Sequence, residues 1–558
     1  MSHELVIKGG TVVDGTGAPA YTADIAVNGG TITAIGHDLG TGTRTVDADG
    51  LVVAPGWVDI HTHLDGQAIW DPEMTPSSWH GVTTAVMGNC GVGFAPMHLD
   101  QRELLVEIME EVEEIPAEAL LSGIDWSWET FGEYLDALDS VGRTVDVAAL
   151  IPHVALRVYV MGSRAHDEAT PDDIAALAKA AEQALREGAA GLSTSRTVMH
   201  SSRHGYVPGT SATLDELFAL GGALQRAGHG VMQMNSDFKG GPSDRSWTTD
   251  FVDRLGVPIV YILSQTRKAP GAYLEALDYA AQDVAAGRAI VPQVSCRPAG
   301  VLFGLSGSRH PFITHPTYRA MEHLPVSEQV ARLRDPETRR QLLSEHRDDN
   351  DPRIRELIGA GLWDLWHNMF PLGEKPDYEP EAASSIAAIA GTRNPAEVAL
   401  DLMLEQDGQA LLFSPMSNYT DGNHDAILTQ MTHPGTVLGL SDAGAHLRSI
   451  CDASSTTYML THWVKGRTRG ARLSTGQAAQ RFGLADRGVL ATGKRADINL
   501  IDMDAIELLP PTAVADLPGG GSRLIQKANG YVGTFVAGEQ TYSDGEATGV
   551  RPGRVCRF

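Results

Sequence analysis

Two histidines close one apolar segment of this chain. Residues 51–58 form a near-continuous hydrophobic run, and Asp59-Ile60-His61-Thr62-His63 follows it directly. Such a run is typical of a buried parallel strand, and residues spaced i, i+2 on an extended chain point to the same side. His61 and His63 are therefore expected to present two neutral imidazoles to one divalent metal ion at the carboxyl end of a strand.

The charge of the chain argues against two classes of partner. Its 558 residues include 43 Lys and Arg against 70 Asp and Glu, a formal net charge of -27. Phosphate backbones and anionic membranes would be repelled, so we expect no nucleic acid and no membrane as partners. The amino end lacks the basic start and long apolar core of a signal peptide, which favours the cytoplasm.

The four cysteines do not form a recognisable framework. Cys90, Cys296, Cys451 and Cys556 are far apart and include no CxxC pair. Neither a disulfide scaffold nor a zinc ribbon is indicated, which also fits a cytoplasmic protein.

Strand and helix patterns alternate along most of the chain. Eight strand candidates lie at 51–61, 83–90, 145–151, 190–194, 230–234, 258–263, 289–294 and 436–441. Helical patterns follow several of them, at 171–187, 213–227 and 272–287, the last with Leu274, Leu277, Ala281, Val284 and Ala285 along one face. Eight such units predict an α/β fold, a (β/α)8 TIM barrel.

The two chain ends and one long connection do not follow this alternation of strands and helices. Short β-like runs occupy the first fifty residues, and similar runs return at 498–501 and 531–536. We therefore predict a small β-sandwich built from residues 1–54 and 485–558 around a metal-dependent barrel at 55–484. A helical insertion at about 300–430, before strand eight, is expected to lie over the barrel mouth and shape the site.

The motifs of this chain resemble one family from end to end. Residues 6–15, 54–63 and 493–497 are similar to the amidohydrolase superfamily, and Gly81-Val82-Thr83-Thr84-Ala85-Val86-Met87-Gly88-Asn89-Cys90-Gly91 resembles its N-acyl-D-amino-acid deacylase branch. The resemblance covers nearly the whole chain except the insertion.

The resemblance implies further roles in the site. In the superfamily an aspartate at the position of Asp442, after strand eight, touches the metal and acts as general base. In the deacylase branch a cysteine at the position of Cys90 is a metal ligand, and nitrogen, carboxylate and thiolate ligands suit zinc. Strand four, at 188–196, has no lysine that could bridge two metals as in hydantoinase-type sites.

The chain departs from the family on strands five and six. Relatives carry a metal-binding histidine at the end of each, whereas Gln233 (or Met234) and Gln265 stand at these positions here. A carboxamide is a poor zinc ligand beside imidazole. Either one metal remains, which we favour over two, or other histidines replace the missing pair. His153, His200, His204 and His446 are the candidates.

Substrate binding requires further groups. His153 and His446 are candidates, and the carboxamides of Gln233 and Gln265 could orient a substrate carbonyl. A substrate carboxylate would be bound by an arginine, and Arg196, Arg267 and Arg297 are the candidates. The acidic run at 107–114 is interpreted as a solvated helix face.

Together with these residues, the resemblance implies a zinc-dependent hydrolase of an amide-type C–N bond in a small molecule, most simply an N-acyl-D-amino acid. Carbamates, lactams and esters stay open as substrates, and a homo-oligomer is possible. The alternative is a relative that has lost its metal and serves as a binding or assembly protein. His61, His63 and Asp442 favour the enzyme, whereas Gln233 and Gln265 favour either the alternative or an enzyme with a changed chemistry.

Overall fold

The computed structural model describes residues 3–237, 242–348, 351, 354, 365–467 and 475–558. Eight parallel strand positions surround one core. In chain order the barrel strands are Trp57–Asp59, Val82–Met87, Asp146–Ala149 continued by Ile151–Pro152, Gly191–Arg196, Val231–Ser236, Ile259–Ile262, Ile290–Val294 and Val437–Leu438. A parallel bridge between Thr62 and Ala443 joins the first position to the eighth. The predicted (β/α)8 barrel is confirmed.

Helices cover the outside of the barrel between the strands. They are Arg102–Glu113, Ala117–Gly123, Phe131–Ser140, His153–Met161, Pro171–Arg186, Leu214–Ala227, Pro242–Leu255, Ala272–Ala286 and, after strand eight, Thr475–Arg481. Their starts follow local capping chemistry. Before Pro171–Arg186, for example, the Thr170 hydroxyl accepts from the Asp173 N–H at 3.2 Å, and Pro171 needs no hydrogen-bond partner for its nitrogen.

Both chain ends build one nine-stranded sheet. Its strands are His3–Val12, Tyr21–Asn28, Thr31–Gly36, Gly42–Asp47, Val52–Pro55, Ile498–Ile501, Tyr531–Val536, Glu539–Ser543 and Glu546–Ala547. Ile498–Ile501 lies antiparallel between Val52–Pro55 and Tyr531–Val536, which joins the amino-terminal and carboxyl-terminal parts. The pairing supports the limits 1–54, 55–484 and 485–558, which stay a prediction.

The strand predicted at 51–61 divides at Gly56. The Gly56 N–H donates to Asp497 O in the terminal sheet, whereas the Trp57 N–H donates to Gly81 O in the barrel. A Cβ atom at Gly56 would lie 2.1 Å from Thr83 Oγ1, so only glycine permits this close crossing. The segment before the two histidines therefore belongs to both structural units.

The insertion has a core of its own. It contains the helices Pro316–Arg319, Val326–Leu333, Pro336–Ser344, Ile386–Ala390, Pro395–Met403 and Asp425–Thr432. It also contains a small antiparallel sheet of Gly300–Phe303, Phe370–Pro371 and Leu412–Pro415, which the sequence patterns did not predict. In the described part of the chain, no helix is long and apolar enough to cross a membrane.

Candidate metal centre and active site

His61 and His63 lie side by side at the barrel mouth, directly after the first barrel strand. Their ring centroids are 5.6 Å apart, and both residues are buried. The His63 N–H donates to Ala443 O at 2.7 Å, and the Asp442 N–H donates to His61 O at 3.1 Å. These backbone bonds hold the histidine segment against the loop that follows strand eight, so the i, i+2 spacing does place both imidazoles together.

Cys90 joins the two imidazoles from the turn after the second barrel strand. Its Sγ lies 3.3 Å from His61 Nε2, and one ligand atom each from His61, His63 and Cys90 lie within 4.8 Å of one another. Cys90 has φ +55°, a conformation that is uncommon for residues other than glycine and that occurs often at functional sites. The backbone of this turn therefore aims the thiol into the site.

Asp442 completes the arrangement. Its Oδ1 lies 3.2 Å from His63 Nε2 and 3.6 Å from His61 Nε2. Burial raises the pKa of Asp442, but the close contact with His63 and the charges of His63, His61 and His446 lower it below its usual value. The side chain is 35% exposed, so a carboxylate here is accessible from the barrel mouth.

A carboxamide orients His61. Gln293, on the seventh strand, donates from Nε2 to Gly439 O at 3.2 Å, which turns its Oε1 towards His61 Nδ1 at 3.1 Å. His61 Nδ1 then carries the proton and Nε2 keeps its lone pair facing Cys90 and Asp442. Burial lowers the pKa of His61 to about 4, which also keeps the ring neutral.

These residues fit a divalent metal ion. Among the described residues, both ring nitrogens of His63 are buried without a hydrogen-bond partner, and so is Glu113 Oε1. Buried polar atoms normally have a partner, and unpaired ones gathered around two imidazoles and a thiol indicate an ion as that partner. Nitrogen and sulfur donors beside a carboxylate are the ligands that zinc prefers.

The acidic run at 107–114 is more than a solvated face. Glu113 is buried at the end of helix Arg102–Glu113, with its Oε1 3.6 Å from His63 Nδ1. His446 lies next to it, Nε2 3.9 Å from Glu113 Oε2, and its backbone N–H donates to Glu113 O. The interpretation as a solvated face is therefore wrong for Glu113, whose burial raises its pKa.

The spacing of the helix contains the signal for Glu113. Buried Val106 and Met109 precede it by seven and four residues, which places Glu113 on the apolar face. Because Glu113 stands in a run of acidic residues, its position on the apolar face was not recognised from the sequence. Gln293 has no comparable signal, because its strand is buried on both faces.

The two glutamines of strands five and six have different neighbours. Gln233 Oε1 accepts from the Cys90 N–H at 2.9 Å and so supports the turn that carries the thiol. Gln265 contacts the insertion instead, since its Nε2 donates to Asp421 Oδ2 at 2.7 Å and its Oε1 accepts from the Thr420 N–H at 3.1 Å. The structure thus brings Gln233 to the site and uses both amide atoms of Gln265 elsewhere.

His153 lies in a buried network behind strand four. Its Nδ1 faces Thr194 Oγ1 at 2.9 Å, and its Nε2 faces Glu216 Oε1 at 2.8 Å. Glu216 also pairs with Arg157. Both nitrogens of His153 are occupied, so the structure does not bring this residue to a ligand or a substrate.

The other candidate histidines lie around the site without joining the cluster of His61, His63 and Cys90. His200 is held between Ser195 Oγ, 2.9 Å from Nδ1, and Asn235 Nδ2, 3.4 Å from Nε2. His204 is half exposed and pairs with Glu107 Oε1 at 2.9 Å. Asn235 Nδ2 also lies 3.9 Å from Cys90 Sγ, so His200 contacts the site through Asn235.

The three candidate arginines differ in placement. Arg297 is buried, ion-paired with Asp452 and stacked 4.2 Å over the Tyr378 ring, so it does not reach the barrel mouth. Arg196 donates to Ala212 O at 3.0 Å at the end of strand four. Arg267 is half-buried after strand six.

A cleft of about 650 Å³ opens beside the cluster. Glu114, His200, Arg309 and His446 contribute polar side chains to its lining, and Val112, Met199 and Met416 contribute apolar ones. Arg309 and Met416 come from the insertion. The prediction that the insertion shapes the site therefore agrees with the lining of this cleft.

Comparisons with known proteins show which family and which relatives this chain resembles. A family model described as Amidohydrolase family matches residues 44–542. D-aminoacylase of Alcaligenes xylosoxydans xylosoxydans is 28% identical over 573 residues, covering 99% of this chain and 97% of the relative. N-acyl-D-aspartate deacylase of the same organism is 28% identical over 566 residues, covering 99% and 94%. A solved N-acyl-D-glutamate deacylase from Bordetella bronchiseptica, complexed with zinc and a phosphonate inhibitor, has a TM-score of 0.65 at 22% identity and covers 100% of both chains.

The fold and the cluster of candidate ligands agree with a metal-dependent barrel hydrolase. The chain belongs to the amidohydrolase family, because the family model matches most of its length. It is therefore a hydrolase that acts on carbon–nitrogen bonds, and the resemblance found in its motifs is confirmed.

Proposed function

We propose that this chain is a zinc-dependent deacylase of N-acyl-D-amino acids. The observation that supports it best is the convergence of His61, His63 and Cys90 with the carboxylate of Asp442 at the barrel mouth. The similarity to D-aminoacylase and N-acyl-D-aspartate deacylase over 99% of the chain supports the substrate class.

In this proposal each residue has a separate task. His61, His63 and Cys90 would hold zinc, and the bound ion would supply the Lewis acidity that polarises an amide carbonyl and acidifies water. Asp442 accepts the proton of the attacking water and returns it to the leaving amine. Gln293 fixes the tautomer of His61, and Gln233 fixes the turn of Cys90.

We further propose that the barrel holds one metal ion. Gln265 uses its amide on Thr420 and Asp421, and Gln233 turns its oxygen to the Cys90 N–H. The structure therefore offers no imidazole at the strand-five and strand-six positions, and His200, His204 and His446 have other contacts among the described residues.

A substrate carboxylate has a candidate contact in the cleft. Arg309 lines it and pairs with Glu114, and its side chain is 12% exposed. A guanidinium can bind a carboxylate through two parallel N–H donors. Arg196 and Arg267 stay predictions for the same task.

Turnover of N-acyl amino acids by the zinc-loaded protein tests the proposal. We expect hydrolysis of N-acetyl-D-amino acids in preference to the corresponding N-alkylacetamides, which lack the carboxylate. Asp442→Asn should lower kcat about 100-fold to 10,000-fold with zinc retained, because the amide keeps the shape but not the basicity.

Asp544→Asn is the matched control. Asp544 also has a positive φ, +49°, but lies on an exposed turn of the terminal sheet. Full activity of Asp442→Asn would refute the role of Asp442. A folded, zinc-loaded protein that hydrolyses no N-acyl amino acid would favour carbamates, lactams or esters as substrates, and one that binds no zinc would favour the binding-protein alternative.

A further inference from the structure

A second group of potential metal ligands lies outside the barrel mouth. It consists of Glu379, His424 and His462, and one ligand atom from each lies within 4.8 Å of the others. Glu379 and His424 come from the insertion, His424 directly before helix Asp425–Thr432. His462 lies on the π-helix Met459–Arg467, which follows the eighth barrel strand. The group shares no residue with the site formed by His61, His63, Cys90 and Asp442.

The distances suit a small divalent cation. Glu379 Oε2 lies 3.0 Å from His462 Nε2 and 3.7 Å from His424 Nδ1. Tetrahedral zinc with ligands at about 2.0–2.2 Å separates its ligand atoms by about 3.4 Å, so small side-chain movements would suffice to admit the ion.

The hydrogen bonds around the group aim its lone pairs inwards. His424 Nε2 lies 2.8 Å from Tyr378 O, which as a carbonyl can only accept, so Nε2 carries the proton and Nδ1 is the lone-pair nitrogen. Glu379 Oε1 accepts from the His424 N–H at 2.7 Å and from Arg467 Nη1 at 2.6 Å. The second carboxylate oxygen, Oε2, is thereby turned towards the two histidines.

His462 supplies an independent observation. Its ring stacks on Tyr458 with centroids 4.7 Å apart and planes at 11°, which fixes the direction of Nε2. Within the described residues, Nε2 is buried without a hydrogen bond of acceptable geometry, although Glu379 Oε2 lies close. π-helical segments also occur preferentially at functional sites.

Two carboxylates partly compensate the positive charge of the nearby Arg467. Arg467 contacts the other oxygen of Glu379 and also pairs with Asp425, which shares its positive charge. Tyr458 hydroxyl lies 3.3 Å from His424 Nδ1 and could, like water, occupy a fourth position.

We propose that Glu379, His424 and His462 form a second, structural site for a divalent metal of the zinc class. It connects the insertion to the helix after strand eight, two parts of the chain that both border the catalytic barrel. The proposal does not depend on the deacylase activity, because none of the three residues belongs to the proposed catalytic centre.

Zinc stoichiometry of the full-length chain tests the proposal. After chelator treatment and equilibrium dialysis against zinc alone, we expect two equivalents in the unmodified protein and one in His462→Ala. His61→Ala/His63→Ala should also retain one, and the triple variant none. His323→Ala removes an exposed histidine of the insertion and is the matched control.

Thermal unfolding gives a second measurement. Zinc should raise the Tm of His61→Ala/His63→Ala but not of the triple variant, because only the second site then remains to bind it. Glu379→Gln replaces His462→Ala in all comparisons if the latter does not fold.

The two proposals fail in different ways. If His462→Ala and Glu379→Gln retain the zinc content of the unmodified protein, the second site is refuted while the barrel site stands. If His61→Ala/His63→Ala retains all its zinc and His462→Ala loses one equivalent, the second site stands and the proposed barrel centre is refuted.

Discussion

Replacing Glu113 by Gln should weaken zinc binding at the barrel mouth without weakening the fold. Glu113 Oε1 lies 3.6 Å from His63 Nδ1, and both atoms are buried without a hydrogen bond among the described residues. With zinc on Nε2 of His63, the carboxylate would face the imidazole N–H and raise the basicity of this ligand. The Glu113→Gln substitution keeps the size of the side chain but removes its negative charge.

The magnitude follows from comparable contacts. Removing an outer carboxylate from a metal-binding histidine typically costs 10-fold to 100-fold in metal affinity, or about 1.4–2.7 kcal/mol. The metal-free protein should behave oppositely. Burial raises the pKa of Glu113, so the carboxylate is costly there, and the metal-free variant should unfold at the same or a higher temperature.

Competition between the protein and a zinc chelator measures the affinity, and thermal unfolding of the metal-free proteins measures the stability. Glu103→Gln is the matched control, because Glu103 is an exposed residue of the same helix. An unchanged zinc affinity in Glu113→Gln would refute the reasoning. A lower Tm of the metal-free variant would mean that Glu113 supports the fold rather than the ion.

Two further predictions concern buried ionisable side chains away from the barrel mouth. Arg297→Met should lower the free energy of unfolding by about 3–5 kcal/mol, because buried Asp452 then loses its partner. The double variant Arg297→Met/Asp452→Leu should recover part of this loss. If thermal unfolding shows that the losses of the two single variants simply add, the ion pair does not stabilise the fold. Burial lowers the pKa of His80 to about 4. Between about pH 6.5 and pH 4 the unfolded chain therefore binds a proton at this residue that the folded chain does not, and the free energy of unfolding falls as the pH drops through this range. His80→Gln should flatten that fall in Tm between pH 7 and pH 4.5, and equal slopes in both proteins would exclude this role of His80.

Much of the fold was predictable because its signals are local. A continuous apolar run is buried on both faces wherever it lies in a parallel barrel, so eight such runs identified the strands. The helix predicted at 171–187 begins at Pro171 because Thr170 and Asp173 cap it, and these are neighbours in sequence. The same applies to His61 and His63, which lie two residues apart in the segment that directly follows the first barrel strand.

Helix Ala272–Ala286 shows where a local pattern is insufficient. The apolar spacing predicted one common face for Leu274, Leu277 and Val284, but only Leu277 is buried, and Leu274 and Val284 are 49% and 52% exposed. The buried face instead carries Asp283, which pairs with Arg245 of the preceding helix. A charged residue can lie in the interior only where a distant partner meets it, and the periodicity of one helix contains no information about that partner.

The candidate site shows the same division between local and tertiary information. The sequence by itself predicted the histidine pair and, through the resemblance of its motifs, Cys90 and Asp442, and the structure brings these four side chains together. Only the tertiary structure decided that Glu113 and Gln293 support the histidines, that Gln265 contacts the insertion, and that His153 and Arg297 are occupied elsewhere. Spacing along a strand or helix fixes the direction of a side chain, whereas its partner depends on barrel closure, which brings residues hundreds of positions apart into contact.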